Sequence, residues 1–501
     1  MFARVRSLFG AQDMTEGNIR NNLLRFSIPL LIGNFAQQLY TAVDSIIVSR
    51  AVENGLAAIG ATFPIINFLI IIFMAISTGA GVMVAQFYGA RDMERLSRTI
   101  GNTLMLIGVT SVVMMALAIP LSEPFLRLID TPEEILYMAK PYLQIIFIGV
   151  AGSAFYNIVS GILRGLGDSL TPLLFLLLAA FTNTVLDIWF VWGLGWGVPG
   201  AAWATITSQA LSAILCLVRL YRLESIRRLT KKDLAPSRET LTEIMRLGLP
   251  AGLTQGVFSL AMIMVQRLTN SMGTLVIAAN TAVIRVDGFA MMPNFTFGMA
   301  ATTFIGQNIG ARKMERVYGG VRSATRLALV VSTTLTILIL IFGRQLLGVF
   351  SNNAAVIDVG YGMMAILAIG YIAFSQSQTY GGILRGAGDT MPALWISIIT
   401  TVFLRVPLAY LAAYLSRSAE WPNGHPYSLS ISLLASWLVG ALLTWLWYKK
   451  GSWRSKSVVP QDEALAAASA AGTASGAEPA PLAAADTVLD TTLETPTAPG
   501  D

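Results

Sequence analysis

"GILRGLGD" at residues 161–168 returns as "GILRGAGD" at 382–389, with seven of eight residues identical and an offset of 221. "QFYGARDMER" at 86–95 returns as "QNIGARKMER" at 307–316 with the same offset and seven of ten identical. That shift also carries Pro29 to Pro250, Ala57–Ala58 to Ala278–Ala279 and Phe68 to Phe289. One offset held over about 140 residues means two homologous halves.

The repeats lie in an apolar chain. Of 501 residues, 54% are hydrophobic and 12% charged, whereas soluble domains carry about 25% charged residues. Hydrophobic runs about 20 residues long recur along it, as membrane-spanning helices require. The short alternating strands of a membrane β-barrel are not seen. The pattern predicts twelve helices, at 23–49, 57–88, 98–121, 134–163, 170–192, 200–221, 243–270, 275–309, 320–343, 355–383, 391–415 and 427–448.

Loops after even-numbered helices are basic: "GARDMERLSR", "RLYRLESIRRLTKKDLAPSR", "GARKMERV". Most of the 34 Lys and Arg therefore fall on the side shared by both termini. Cytoplasmic loops are enriched in these residues, so the expectation is a multi-pass protein of the inner (plasma) membrane with both termini cytoplasmic. The net charge of +6 then reflects topology, and no nucleic-acid partner is implied. "MFARVRSLFGAQDMTEGN" is too polar for a signal peptide, so helix 1 is expected to target the chain. The expected division is a cytoplasmic N-terminus at 1–22, an N-lobe at 23–221, a linker at 222–242, a C-lobe at 243–450 and a disordered, Ala- and Pro-rich cytoplasmic tail at 451–501.

Both "GAR" loops fall on the basic side, so each half holds six crossings. The expected fold is all-α and polytopic, two six-helix parallel repeats related by a pseudo-two-fold along the membrane normal. Such halves suit a transporter with its substrate site between two lobes. A single Cys, Cys216, excludes an intramolecular disulfide and a multi-Cys metal site, and a single His, His425, excludes a His cluster. An intramembrane enzyme would need a nucleophile–base set or metal ligands, so no enzymatic activity is expected.

Helix 1 carries a carboxylate, Asp44, in "LYTAVDSIIVS" with no Lys or Arg within five residues. An ionised group at the bilayer centre costs at least ~2.5–3.5 kcal/mol, so Asp44 must face protein or water. Gln37, Tyr40 and Asp44 share one helix face through their +3 and +4 spacing, extended one turn by Asn34. At ~1.5 Å per residue Asp44 lies ~27 Å into a core about 30 Å thick. Asn183 and Asp187 of helix 5 lie roughly 16 and 22 Å in, and Thr205 of helix 6 lies ~8 Å below the outer surface. All four fall in the outer half of one lobe. Two carboxylates in a poorly hydrated pocket repel, and such a pair takes up a proton or a small cation. Asn and Thr in membrane helices often serve only to bridge helices.

Further charges lie at mid-membrane. Arg285 and Asp287 of helix 8 and Arg405 of helix 11 form either a salt-bridged structural cluster or part of a cavity lining. Arg164/Asp168 and Arg385/Asp389, on the matched loops, read as i,i+4 charge pairs of structural use.

"MTEGNIRNNLLRFSIPLLIGNFAQQLYTAVDSIIVS", "VAQFYGARDMER", "GILRGLGDSLTP" with its repeat, and "IRVDGFAMMPNFTFGMAATTFIGQNIGARK" together resemble the multidrug and toxic compound extrusion (MATE) family over about residues 14–450. The resemblance is to the DinF-like branch and implies its V-shaped fold. It implies an ion-coupling cluster at Asp44, Asn183, Asp187 and Thr205, a bend at Pro29, and a substrate cavity lined by Gln37, Tyr40, Tyr142 and Asn157. The acidic residues that another branch carries in helices 7 and 10 are absent. The implied function is secondary active multidrug efflux by a functional monomer that takes no cofactor. Cationic or lipophilic compounds would leave against H⁺ or Na⁺, with Na⁺ held between Asp44 and Asp187. Alternatives are a lipid-linked precursor flippase, disfavoured by an acidic cavity, and a major facilitator-type transporter, whose loop signature is not evident.

Overall fold

The computed structural model describes residues 12–223 and 227–459. Lipid offers no hydrogen bonds, so a spanning chain must satisfy its backbone internally. The described residues are accordingly helical, with no strand among them. The first half holds α1 (Ile19–Ala51), α2 (Gly55–Gly89), α3 (Met93–Leu128), α4 (Glu133–Ile148 and Val150–Gly165), α5 (Leu170–Gly193) and α6 (Gly197–Tyr221). The second holds α7 (Arg238–Ser271), α8 (Thr274–Gly310), α9 (Met314–Gly348), α10 (Ala354–Gly386), α11 (Met391–Leu415) and α12 (Tyr427–Lys450). These are the twelve predicted helices, most of them extended at their ends.

Ten are individually long and apolar enough to cross a membrane, and the two pieces of α4, bent by 50°, make an eleventh. The twelfth, α1, is the one whose apolar run is broken by Asn34, Gln37, Gln38 and Asp44. Side-chain caps mark several starts. Asn18 Oδ1 accepts from Asn21 N at 3.1 Å, Asp92 Oδ1 from Arg95 N at 2.9 Å, and Asn353 Oδ1 from Ala355 N at 2.9 Å. Two crossings contain π-helical segments, Ile188–Gly193 in α5 and Ile398–Arg405 in α11.

The duplication is visible as paired contacts at the face that carries residues 12–18 and 451–458, the basic face. Gln86 Nε2 donates to Gly386 O at 2.8 Å, and its repeat equivalent Gln307 donates to Gly165 O, the equivalent carbonyl, at 3.0 Å. The halves thus reach across to each other through the same bond twice. The helices touch backbone to backbone there. A Cβ on Gly89 would lie 1.9 Å from Gln307 O, and one on Gly310 1.9 Å from Gln86 O. The chain ends complete the symmetry. Gln307 Oε1 accepts from Met14 N at 2.9 Å, while Gln86 Oε1 accepts from Val458 N at 2.8 Å.

Two expectations about connecting segments change. Residues 452–455, assigned to a disordered tail, form a 3₁₀ turn that buries Trp453. The aromatic anchor outweighs the polar composition around it. Residues 460–501 of that tail lie outside the described residues. The linker is pinned as well. Asn102 Nδ2 donates to Asp233 O and Ala235 O at 3.0 and 3.1 Å, and its Oδ1 accepts from Ser237 N at 2.7 Å. With that anchor α7 starts at Arg238, ahead of the expected 243.

Candidate ion site and central cavity

The four predicted polar residues of the first half meet. Asp187 ends the regular part of α5, just before its π-helical turn, and is fully buried with Asn183 one turn earlier. π segments in α-helices often mark functional sites. The Asp44 and Asp187 carboxyls face each other directly, close enough to share a proton. With its amide oriented to satisfy both neighbours, Asn183 donates to Asp187 Oδ2 at 2.8 Å and accepts from Thr205 N at 3.3 Å. Tyr40 lies against Thr205 and Ser208, and Tyr142 within electrostatic reach of both carboxyls. Asp44 Oδ1 and Asp187 Oδ1 are buried with no hydrogen-bond partner among the described residues. Buried polar atoms are nearly always paired, and an orphaned carboxyl oxygen is satisfied by a proton or an oxygen-liganded cation. Ser208 had no signal of its own in the sequence; it enters the cluster one turn after Thr205.

A cavity of about 670 Å³ lies between the halves. It is lined by Gln37 and Asn157 as expected, and by Pro29, but Tyr40 and Tyr142 are not among its lining residues. They stand beside the carboxylates instead. No Asp or Glu lines the cavity, and Arg164 and Arg385 do. The acidic pair thus lies outside the cavity lining, and a cavity without carboxylates does not disfavour a flippase. The halves also meet beside the cavity, where Asn34 Nδ2 donates to Thr296 Oγ1 at 3.1 Å and Phe35 packs on Phe289 with ring centroids 5.8 Å apart.

The family model MatE matches the chain twice, at residues 29–189 and 250–411. The chain belongs to the MATE family. Two matches about 221 residues apart restate the internal repeat. "Probable multidrug resistance protein YpnP" of Bacillus subtilis is 29% identical over 89% of this chain and 98% of that one. "Probable multidrug resistance protein NorM" of Thermotoga maritima is 27% identical over 89% and 95%. Among solved structures, an outward-facing multidrug resistance MATE transporter superposes with a TM-score of 0.81 at 26% identity, covering 88% of this chain and 97% of the other. This MATE protein accordingly has the V-shaped fold of two six-helix lobes, and it is a multi-pass membrane transporter related to multidrug exporters.

In the C-lobe, the MATE chain joins Asp287 to a partner the sequence reading did not name. The Tyr371 hydroxyl of α10 donates to Asp287 Oδ1, and Arg405, in the π-helical segment of α11, lies within electrostatic reach of that carboxyl. Arg285 is exposed and stays outside the cluster, because a +2 step turns it away from Asp287 on the helix. No ion pair joins Asp287 to Arg405, and Arg405 Nε is buried without a hydrogen-bond partner among the described residues.

The matched loop pairs do not form. Asp168 accepts from Thr171 Oγ1 at 2.7 Å and pairs with Arg219 at 3.3 Å. Asp389 accepts from Trp447 Nε1 at 3.2 Å and Ser452 Oγ at 3.4 Å. Helix 4 and helix 10 both end before these aspartates, at Gly165 and Gly386, so the i,i+4 geometry is lost. Gly167 and Gly388, with φ of +87° and +91°, turn the chain away there. Gln86 and Gln307 were visible in the repeat motif; their identity at a fixed offset was the signal that they matter.

Proposed function

We propose that this MATE protein is a secondary active exporter of lipophilic drug-like compounds, driven by inward H⁺ or Na⁺ at Asp44 and Asp187. The carrying observation is the meeting of the fully buried Asp187 carboxyl with the half-buried Asp44 carboxyl, flanked by Asn183 and Thr205. The donor set is all oxygen, suited to a proton or a hard cation. The basic face is cytoplasmic, by the excess of Lys and Arg in its loops, and the protein acts as a monomer in the inner membrane. Substrate occupies the central cavity, whose apolar walls accept lipophilic compounds, while the carboxylates are deprotonated. Ion entry from outside neutralises the pair. Helix α1 bends at Pro29, where proline removes a backbone hydrogen bond, and the cavity narrows. Reciprocity requires ion and substrate to weaken each other's binding.

Dye efflux from proteoliposomes under separately imposed H⁺ and Na⁺ gradients tests this. One gradient should drive export, and Asp44→Asn should abolish the response to it. Full gradient-driven export by Asp44→Asn would falsify the coupling role.

A further inference from the structure

We propose that Arg164 and Arg385 form an oxyanion-binding site at the basic-face end of the central cavity, taking the carboxylate or phosphate group of an amphiphilic ligand. The two arginines are repeat equivalents, each in the last turn of its helix, and both line the same cavity. Each precedes the glycine whose carbonyl takes the cross-lobe glutamine bond, Gly165 and Gly386. They therefore sit just inside the closed face, one from each lobe.

Guanidinium groups stay charged in proteins, and these two are half-buried in the cavity wall, where a charge drawn partly out of water favours a counter-charge or hydrogen bonds. Neither arginine has an ion-pair or hydrogen-bond partner among the described residues. The nearby carboxylates are committed elsewhere, Asp168 to Arg219 and Thr171, Asp389 to Trp447 and Ser452. The helix C-terminal dipole favours a cation there but offsets only part of its charge. An oxyanion in the cavity supplies the missing counter-charge and acceptors, and the planar guanidinium fork matches carboxylate and phosphate oxygens. Amides such as Gln37, Asn157 and Gln378 line the same cavity as neutral donors, while Phe258 and Phe295 give it apolar wall. A volume of about 670 Å³ accommodates a drug-sized amphiphile. The ligand class is thus an amphiphile with an anionic or zwitterionic head. The lipid headgroup and the soluble anion share this chemistry.

The site rests on the transport reading for what the cavity carries. Equilibrium binding without an ion gradient does not involve ion coupling, so the two readings fail separately. The test is fluorescence anisotropy of carboxyfluorescein on the full chain in phosphatidylcholine nanodiscs. Wild type should bind saturably, and Arg164→Gln or Arg385→Gln should each weaken binding about tenfold or more. Arg164→Lys should restore part of the loss. Inorganic pyrophosphate should compete on wild type, a readout that needs no variant to fold. Phosphatidylglycerol added to the nanodisc should displace the dye if lipid headgroups are the source, and leave its affinity unchanged if soluble anions are. Absence of saturable binding by wild type overturns the site. So does unchanged affinity in a folded Arg164→Gln/Arg385→Gln double variant.

Discussion

The N-lobe and the C-lobe agree at the basic face and part company towards the opposite end. Gln86 and Gln307, Gly165 and Gly386, Gly89 and Gly310, Arg164 and Arg385 keep identity and geometry across 221 residues. The acidic site has no counterpart. Asp44, Asn183 and Asp187 map onto Val265, Leu404 and Leu408. The C-lobe instead holds Asp287 and Tyr371, which map onto Ile66 and Val150. Where the halves touch each other, the same contact is made twice, once from each copy. Inside each lobe no such reciprocity holds, and one lobe can take up ion chemistry while the other stays structural.

The largest effect should come from breaking this asymmetry at its source. Asp187→Asn removes one of the two facing carboxyls and should cut gradient-driven dye export by about tenfold or more. The mirror change, Val265→Asp, places a carboxylate at the C-lobe position of Asp44, where Leu404 and Leu408 offer no polar partner. It should not restore export to Asp187→Asn, and in the wild-type background it should lower thermal stability, since a buried charge without partners is costly. Export rescued by the double change would show that the lobes are interchangeable and end the comparison.

The symmetric end makes the opposite prediction, of equal effects. Gly89→Ala and Gly310→Ala each drive a methyl into a backbone carbonyl 1.9 Å away. Neither carbonyl belongs to a flexible side chain, so helices α2 and α8 must separate. Each should cost ~1–3 kcal/mol in the closed arrangement of the basic face, measurable as matching losses in thermal unfolding. A large difference between the two would mean that the pseudo-two-fold does not carry the load equally.

These contrasts explain what could be read from the chain and what could not. Twelve helices and two halves were legible because apolar runs and a fixed offset are one-dimensional patterns. Asp44 and Asp187 were legible because a carboxylate in an apolar run has few uses, and counting residues gave both a similar depth. The partition between pocket and cavity was not. Tyr40 lies one turn from Asp44 and Gln37 nearly two, yet Gln37 faces the cavity and Tyr40 the carboxylates, a choice made by neighbours on α6. Arg164 and Arg385 were misread for a related reason. An i,i+4 spacing implies contact only while the helix continues, and both helices end at the intervening glycine. Trp453 lay in a polar stretch whose composition hid a single buried anchor.

The smallest test asks whether the C-lobe carboxyl is structural. Tyr371→Phe keeps the ring, which packs against Trp437 with centroids 5.8 Å apart, and deletes only the hydroxyl that donates to Asp287. Asp287 then loses its hydrogen bond while Arg405 remains nearby. A buried acceptor left unsatisfied costs ~1–3 kcal/mol, so the variant should unfold at a lower temperature. Its export should keep the wild-type choice between H⁺ and Na⁺, because the proposed ion site lies in the other lobe. A changed ion preference with unchanged stability would move the coupling site into the C-lobe, and the two halves would then differ in residues but share a task.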